Sequence, residues 1–129
     1  MATWNQVREL IQTTFPTNRD FGDCLKINFK LDEERSQLLF IERRVSQGAG
    51  DWIQVSSPIG IIPPEKMDEL LEEVYNVVFG GVVKIEGKHY LRESMPLEDI
   101  SSERLMSVMA SVNIFADDLE KKYVGGDEN

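Results

Sequence analysis

Three consecutive segments between residues 25 and 57 have the hydrophobic pattern of β-strands, with only short turns between them. In the first, residues 25–31, apolar and polar side chains alternate, as they do in a half-buried strand. The second, about Ser36–Val45, is apolar on both faces at its centre, and the third covers about Trp52–Ser57. Short strands that follow one another without an intervening helix favour a mostly antiparallel sheet.

Three further segments, residues 3–15, 65–79 and 101–123, repeat apolar residues at helical spacing. Thr3 and Gln6 have the spacing of a capping box, which marks the start of the first helix. A proline follows that helix, and two glycines follow the second, where they favour the left-handed conformation that ends a helix. The third helix begins with serines that suit the N-cap position.

The remaining strands are predicted at Val82–Ile85 and Lys88–Glu93, joined by a tight turn. Two other stretches, Thr17–Asp23 and Pro58–Pro64, are polar or rich in proline, and we predict them to be connectors without strand pairing. The order of elements is therefore α-β-β-β-α-β-β-α. This order predicts the α+β class, with a mostly antiparallel five-stranded sheet and helices packed against it.

The length and charge of the chain limit its organisation and its partners. Its 129 residues suit one domain, which we assign to residues 1–124, and we expect the acidic residues 125–129 to form a flexible tail. Asp and Glu number 23 against 14 Lys and Arg, so the formal net charge is −9. Such a chain repels phosphate groups, and we therefore expect neither nucleic acid nor an anionic membrane as a partner.

The chain contains one cysteine and one histidine, which leaves few side chains for a metal site. We expect no metal and no organic cofactor. A single cysteine suits a reducing compartment, and the first residues lack the basic and apolar regions of a secretory signal. The longest uncharged runs, residues 74–83 and 106–116, are shorter than the roughly 20 residues that span a bilayer. The expected location is the cytoplasm.

Cys24 and His89 are the candidates for a cysteine–histidine nucleophilic pair. The negative charge of the neighbouring Asp23 disfavours the reactive thiolate. The sequence contains no P-loop, no dinucleotide-binding glycine motif and no Gly-x-Ser-x-Gly motif. We therefore expect a protein that is not an enzyme.

Four carboxylates share one face of the predicted second helix: Glu65, Asp68, Glu69 and Glu72. The usual meaning of this pattern is a solvated face opposite an apolar stripe. The alternative is an acidic pocket on helix 65–79, which would make the protein a small regulatory or ligand-binding protein. Converging carboxylates with strongly perturbed pKa values would favour that alternative.

The predicted strands carry more apolar side chains than one covered face needs. One assignment turns the following residues towards the helices: Leu25, Ile27, Phe29, Leu39, Ile41, Ile53, Val55, Val83 and Ile85. Leu38, Phe40 and Trp52 then point to the opposite face, where no fourth helix is predicted. The reverse assignment is also open, because a register shift of one residue exchanges the two faces. Either way, uncovered apolar side chains indicate a surface for an extended peptide or a partner subunit, unless they are the scattered apolar residues of an ordinary surface.

A resemblance to a known family rests on the element order and on two C-terminal segments. The first segment is Leu91–Ser101, a strand that enters a loop with proline, aspartate and serine. The second is Phe115–Glu120, within the last helix. In these features the chain resembles the type III secretion chaperone-like fold, and within it the YbjN-type, CesT-like bacterial proteins.

The resemblance implies a small cytoplasmic bacterial protein without catalytic residues, which forms a homodimer and holds an extended apolar segment of a partner protein. The residues that it implies for the binding groove along the first helix and the sheet are Trp4, Val7, Ile11, Leu38 and Phe40. Trp52 joins them through the uncovered patch described above. The implied dimer contact, through the second helix and the hairpin after it, involves Leu71, Tyr75 and Val78.

Overall fold

The computed structural model describes residues 3–16, 18–30, 36–76 and 80–125. Its elements, in chain order, are α1 (Trp4–Thr14), β1 (Asn18–Asp20), β2 (Cys24–Lys30), β3 (Ser36–Ser46), β4 (Gly50–Gly60), α2 (Met67–Tyr75), β5 (Gly81–Ile85), β6 (Lys88–Pro96) and α3 (Ser102–Tyr123). The strands form one antiparallel sheet in the order β1-β2-β3-β4-β6-β5. The predicted α+β architecture is confirmed.

The sheet has six strands instead of the predicted five, because β1 forms within the stretch predicted as a polar loop. Its sequence is polar, so hydrophobic alternation does not reveal it. Backbone pairing with β2 and contacts of Asp20 hold it: Asp20 contacts the guanidinium of Arg8 and accepts a hydrogen bond from Gln12 Nε2 at 3.0 Å. The Gly22 amide also donates to Asp20 Oδ1 at 2.7 Å in the turn.

The prediction that Pro58 lies outside the sheet was wrong, because β4 continues to Gly60 and Pro58 pairs with Tyr90 of β6. The ladder between β3 and β4 ends at the pair of Phe40 and Ser56. At Pro58, β4 is therefore paired with β6 only, and the register shifts just after it. A sheet tolerates proline under these two conditions.

One core lies between the sheet and the helices. The inner face of the sheet contributes Leu25, Ile27, Leu39, Ile41, Ile53, Val55 and Leu91, all at most 1% exposed. The longest helix, α3, packs across β3, β4 and β6 with Leu105, Met109, Val112 and Ala116. The helix α1 contributes Trp4, Val7 and Ile11, whereas Leu70 is the one residue of α2 that is fully buried. Because the buried residues of all three helices join this one core, the helices lie on the same side of the sheet.

Of the two face assignments that the sequence left open, the structure agrees with the first for β2, β3 and β4, and that assignment was wrong for β5. Residues paired across an antiparallel ladder point to the same face. Val82 pairs with the buried Leu91, whereas Val83 pairs with Tyr90 and Ile85 pairs with Lys88. Val83 and Ile85 therefore point away from the helices. The tight turn at residues 86 and 87 sets this register by bringing Ile85 opposite Lys88.

Leu39 and Phe40 are neighbours on β3 that point to opposite faces, so they provide a matched test of the assignment. Leu39 is 0% exposed in the core. Leu39→Ala is expected to lower the free energy of unfolding by about 2–5 kcal/mol, because it removes buried methyl groups and leaves a cavity. Phe40→Ala is expected to lower it by less, about 1–2 kcal/mol, because it removes one aromatic contact and the area of a side chain that is only partly buried. Urea denaturation of both variants measures the difference, and equal losses would contradict the assignment of faces.

Candidate functional site

The face of the sheet turned away from the helices is the candidate binding site, and we call it the open face. Its central residues, read from the strand register, are Arg19, Lys26, Asn28, Leu38, Phe40, Glu42, Arg44, Trp52, Gln54, Ser56, Pro58, Val83, Ile85, Lys88, Tyr90 and Arg92. Its large apolar side chains are half-buried, and Ile85 is 48% exposed. No helix of the described residues contributes a buried side chain to it.

Phe40 and Tyr90 form an aromatic pair at the centre of the open face. Their ring centroids are 6.3 Å apart and the ring planes meet at 72°. Phe40 lies on β3 and Tyr90 on β6, with β4 between them, so the rings meet above the small side chain of Ser56. Ser56 is only 8% exposed for this reason. The Lys26 ammonium lies 5.9 Å from the Phe40 centroid, within the range of a cation–π contact.

Leu38 extends this apolar area along β3, next to a shallow depression that Arg19, Lys26 and Asn28 also line. We call Leu38, Phe40, Val83 and Tyr90 the aromatic patch. Sequence reasoning identified Leu38 and Phe40, but it missed Val83 and Tyr90. Residues 88–92 do not alternate clearly in hydrophobicity, so only the pairing of β5 with β6 shows that Val83 and Tyr90 point away from the core.

Trp52 lies on the open face as expected, but it does not adjoin Phe40. It pairs with Arg44, whereas Phe40 pairs with Ser56. Four residues of strand separate these two rows, which is about 13 Å. The indole Nε1 donates to the Ala49 carbonyl at 3.0 Å and the ring borders a second shallow depression with Arg44 and Gln54. Trp52 therefore does not extend the surface that Leu38 and Phe40 form.

The groove residues expected on the first helix lie mainly in the core and not on the open face. Trp4, Val7 and Ile11 are buried, and Trp4 Nε1 donates to the Gly22 carbonyl at 2.9 Å. They hold α1 against the sheet, and only parts of Trp4 and Val7 reach the walls of two depressions on the helix side. The partner-binding role that the resemblance implied for them does not fit their burial.

The residues expected at a dimer contact lie on the helix side of the molecule. Leu71 and Tyr75 are 49% and 88% exposed. They are four residues apart on α2 and so share one of its faces. Val78 lies outside the described residues.

The acidic residues of α2 and the turn before it do not converge on a pocket. Glu65, Asp68, Glu69 and Glu72 are exposed, and they line none of the four cavities whose walls the structure describes. The solvated face that their spacing indicates is therefore the better interpretation for the described part of the helix.

Glu73, on the adjacent part of α2, ties the helix to α3. Glu73 Oε1 accepts hydrogen bonds from Lys122 Nζ at 2.5 Å and from the Tyr123 hydroxyl at 2.8 Å. The hydrogen bond from Lys122 is the main cause that lowers the pKa of Glu73. The pKa of Tyr123 is raised to about 12, mainly by burial of its hydroxyl and secondly by the hydrogen bond and negative charge of Glu73. This cluster stabilises helix packing and offers no free carboxylate for proton transfer.

The largest of the four cavities whose walls the structure describes lies elsewhere, at the end of the sheet where the β3–β4 turn approaches the start of α1. It has a volume of about 620 Å³, and its polar wall contains Arg43, Asp51, Glu98 and Asp99. Arg43 is held by Asp51, with Nη2 and Oδ2 2.9 Å apart. The cation in the wall is therefore already paired with a carboxylate of the chain.

Cys24 and His89 do not form a catalytic pair. Cys24 lies on the open-face side of β2, opposite Glu42, whereas His89 lies on the inner face of β6, three strands away. Burial and then the charge of Glu42 raise the pKa of the Cys24 thiol to about 11. His89 is buried, and its Nδ1 accepts a hydrogen bond from the Ile62 amide at 3.3 Å. The expected suppression of the thiolate is thus present, with burial and Glu42 as its causes instead of Asp23.

Among the described residues, no group of three histidine, cysteine, aspartate or glutamate side chains is arranged to hold a metal ion. No helix in the described ranges combines the length and apolar character required to cross a membrane. In comparisons with known proteins, no family model matches the chain and no curated protein matches it significantly.

The pKa of Cys24 predicts slow alkylation of the folded protein. Only the thiolate reacts, and with a pKa of about 11 its fraction at pH 8 is about 0.1%. The rate of reaction with iodoacetamide is expected to rise about tenfold per pH unit from pH 7 to 10, and Glu42→Gln is expected to shift the profile to lower pH. Mass spectrometry measures the rate, with the urea-unfolded chain as the reactive control. A plateau below pH 9 in the folded protein would contradict the raised pKa.

Proposed function

We propose that the protein is a non-catalytic, chaperone-like binding protein that captures an extended apolar segment of a partner protein on the open face. The observation that carries the proposal is the aromatic patch, which lies on a sheet face without a covering helix among the described residues. The resemblance of the chain to the YbjN-type, CesT-like group of secretion chaperone-like proteins also suggests that it binds a partner segment.

An extended segment suits this surface for a geometric reason. Every second side chain of an extended chain points the same way, at intervals of about 6.7 Å. Apolar residues at these positions can contact Leu38, Phe40 and Tyr90 in turn, and each square ångström of apolar surface removed from water contributes about 25 cal/mol. Contiguous exposed apolar patches commonly mark protein interaction sites.

The proposal includes a bacterial, cytoplasmic homodimer with a two-fold contact through α2. Leu71 and Tyr75 support this part, because they form an exposed apolar pair on the side of the molecule opposite the open face. A contact there leaves the open face of both subunits accessible. Since α2 has only nine residues, the interface is small and the dimer is expected to be weak.

Phe40→Glu tests the binding role. The probe is a phage-displayed library of 12-residue peptides, selected on the wild-type protein, with binding of the selected peptides measured by fluorescence anisotropy. Phe40→Glu is expected to weaken their binding at least tenfold, because it places a charge in the aromatic patch, while the melting temperature changes by only a few degrees.

Ile114→Glu provides the matched control, because Ile114 is an exposed apolar residue of α3 on the helix side. This variant is expected to bind the selected peptides as the wild type does. Unchanged binding by Phe40→Glu would show that the aromatic patch does not bind peptides. Unfolding of Phe40→Glu would show that Phe40 belongs to the core.

Tyr75→Glu tests the dimer. Light scattering of the wild type at about 200 µM is expected to give a mass of about 30 kDa, twice the 14.8 kDa of one chain. Tyr75→Glu is expected to give the mass of one chain, because two like charges would face each other across the two-fold axis. Ile114→Glu should leave the dimer intact. A wild-type monomer at this concentration would refute the dimer.

A further inference from the structure

The open face has the opposite charge to the rest of the chain. The formal net charge of the chain is −9. The cationic residues on the open-face side of the strands are Arg19, Lys26, Lys30, Arg44, Lys88 and Arg92, and Glu42 is the acidic residue among the described positions of that face. The excess of acidic residues therefore lies on the helices, turns and loops, and the open face is a local positive surface.

Two of these cations flank the aromatic patch in a single row across the sheet. Lys26 pairs with Phe40, Phe40 with Ser56, and Ser56 with Arg92. Neighbouring strands are about 4.8 Å apart, so the backbones at Lys26 and Arg92 are about 14 Å apart. Phe40 lies between them.

Neither of these cations is neutralised by the described part of the chain. Lys26 and Arg92 have no carboxylate oxygen within the 4.0 Å of an ion pair there. The Lys26 ammonium contacts the Phe40 ring, and Arg92 Nη1 lies 3.5 Å from Gln54 Oε1. Arg44, by contrast, already has Glu42 at 3.6 Å.

The geometry points to a partner segment that is acidic as well as apolar, with two carboxylates flanking one apolar residue at alternate positions. This inference rests on the proposed function and specifies its ligand. In an extended chain, residues i, i+2 and i+4 point the same way, and residues i and i+4 are about 13 Å apart. Carboxylates at i and i+4 therefore match Lys26 and Arg92, and the apolar residue at i+2 contacts Phe40 and Tyr90.

Single-stranded RNA is the rival ligand, because aromatic and cationic side chains on a sheet also bind RNA. One observation favours the acidic peptide. A polyphosphate chain is repelled along its length by the net charge of −9, whereas a peptide with two carboxylates carries little charge beyond the cationic row.

The test uses three labelled peptides with one leucine flanked at alternate positions by two glutamates, two glutamines or two lysines. Anisotropy titrations at about 50 mM NaCl are expected to give the tightest binding for the glutamate peptide, about fivefold tighter than for the glutamine peptide, and the weakest for the lysine peptide. At about 300 mM NaCl the difference between the glutamate and glutamine peptides is expected to shrink, because salt screens exposed charges.

Lys26→Gln and Arg92→Gln are each expected to weaken binding of the glutamate peptide about threefold and to leave the glutamine peptide unaffected. Lys66→Gln is the matched control, because Lys66 is an exposed cation next to α2. It should change neither titration.

The outcomes separate the two proposals. Equal binding of the glutamate and glutamine peptides, with both lost in Phe40→Ala, overturns the acidic ligand and supports apolar capture on the open face. Equal binding that persists in Phe40→Ala overturns both. A third outcome favours RNA and overturns the acidic peptide. In it, a labelled 12-nucleotide oligouridine binds more tightly than the glutamate peptide, and Lys26→Gln and Arg92→Gln lose this binding.

Discussion

Burial of one sheet face beneath α3 is the constraint on which the other features of the structure depend. Ile41 and Val55 face each other across the two central strands, and both are wholly buried. Because side chains alternate along a strand, this pair sets the direction of every other side chain on β3 and β4. Phe40 and Ser56, which adjoin the pair, are thereby placed on the open face.

The same constraint explains why the surface is divided by charge. The open face lacks the large core that the inner face shares with the helices, so its positions tolerate lysine and arginine beside aromatic rings. The exposed faces of the helices, such as the one with Glu69 and Glu72, carry acidic residues. A chain whose net charge is −9 therefore carries a positive surface around the half-buried aromatic patch.

The structure also places the reactive side chains apart from one another. Cys24 and His89 lie on opposite faces of the sheet and on distant strands. Cys24 lies opposite Glu42, and His89 accepts a hydrogen bond from the Ile62 amide. Glu73 is engaged with α3, and Arg43 in the wall of the cavity beside the start of α1 is engaged with Asp51. The aromatic patch, with the cations Lys26 and Arg92 beside it, is the surface on which we propose that binding takes place.

The sequence by itself determined the fold class, the three helices and the capping box at Thr3, and it left two assignments for the faces of β2, β3 and β4. These features depend on local spacing, which hydrophobic periodicity and cap chemistry report directly. Only the tertiary structure decided the strand β1, the pairing of Pro58, the burial of Trp4, Val7 and Ile11, and the side to which Val83 points. Each of these depends on which backbone lies beside which. A polar edge strand, a paired proline and a strand register leave no local pattern in the sequence. All of them are set by backbone segments that are distant in the chain.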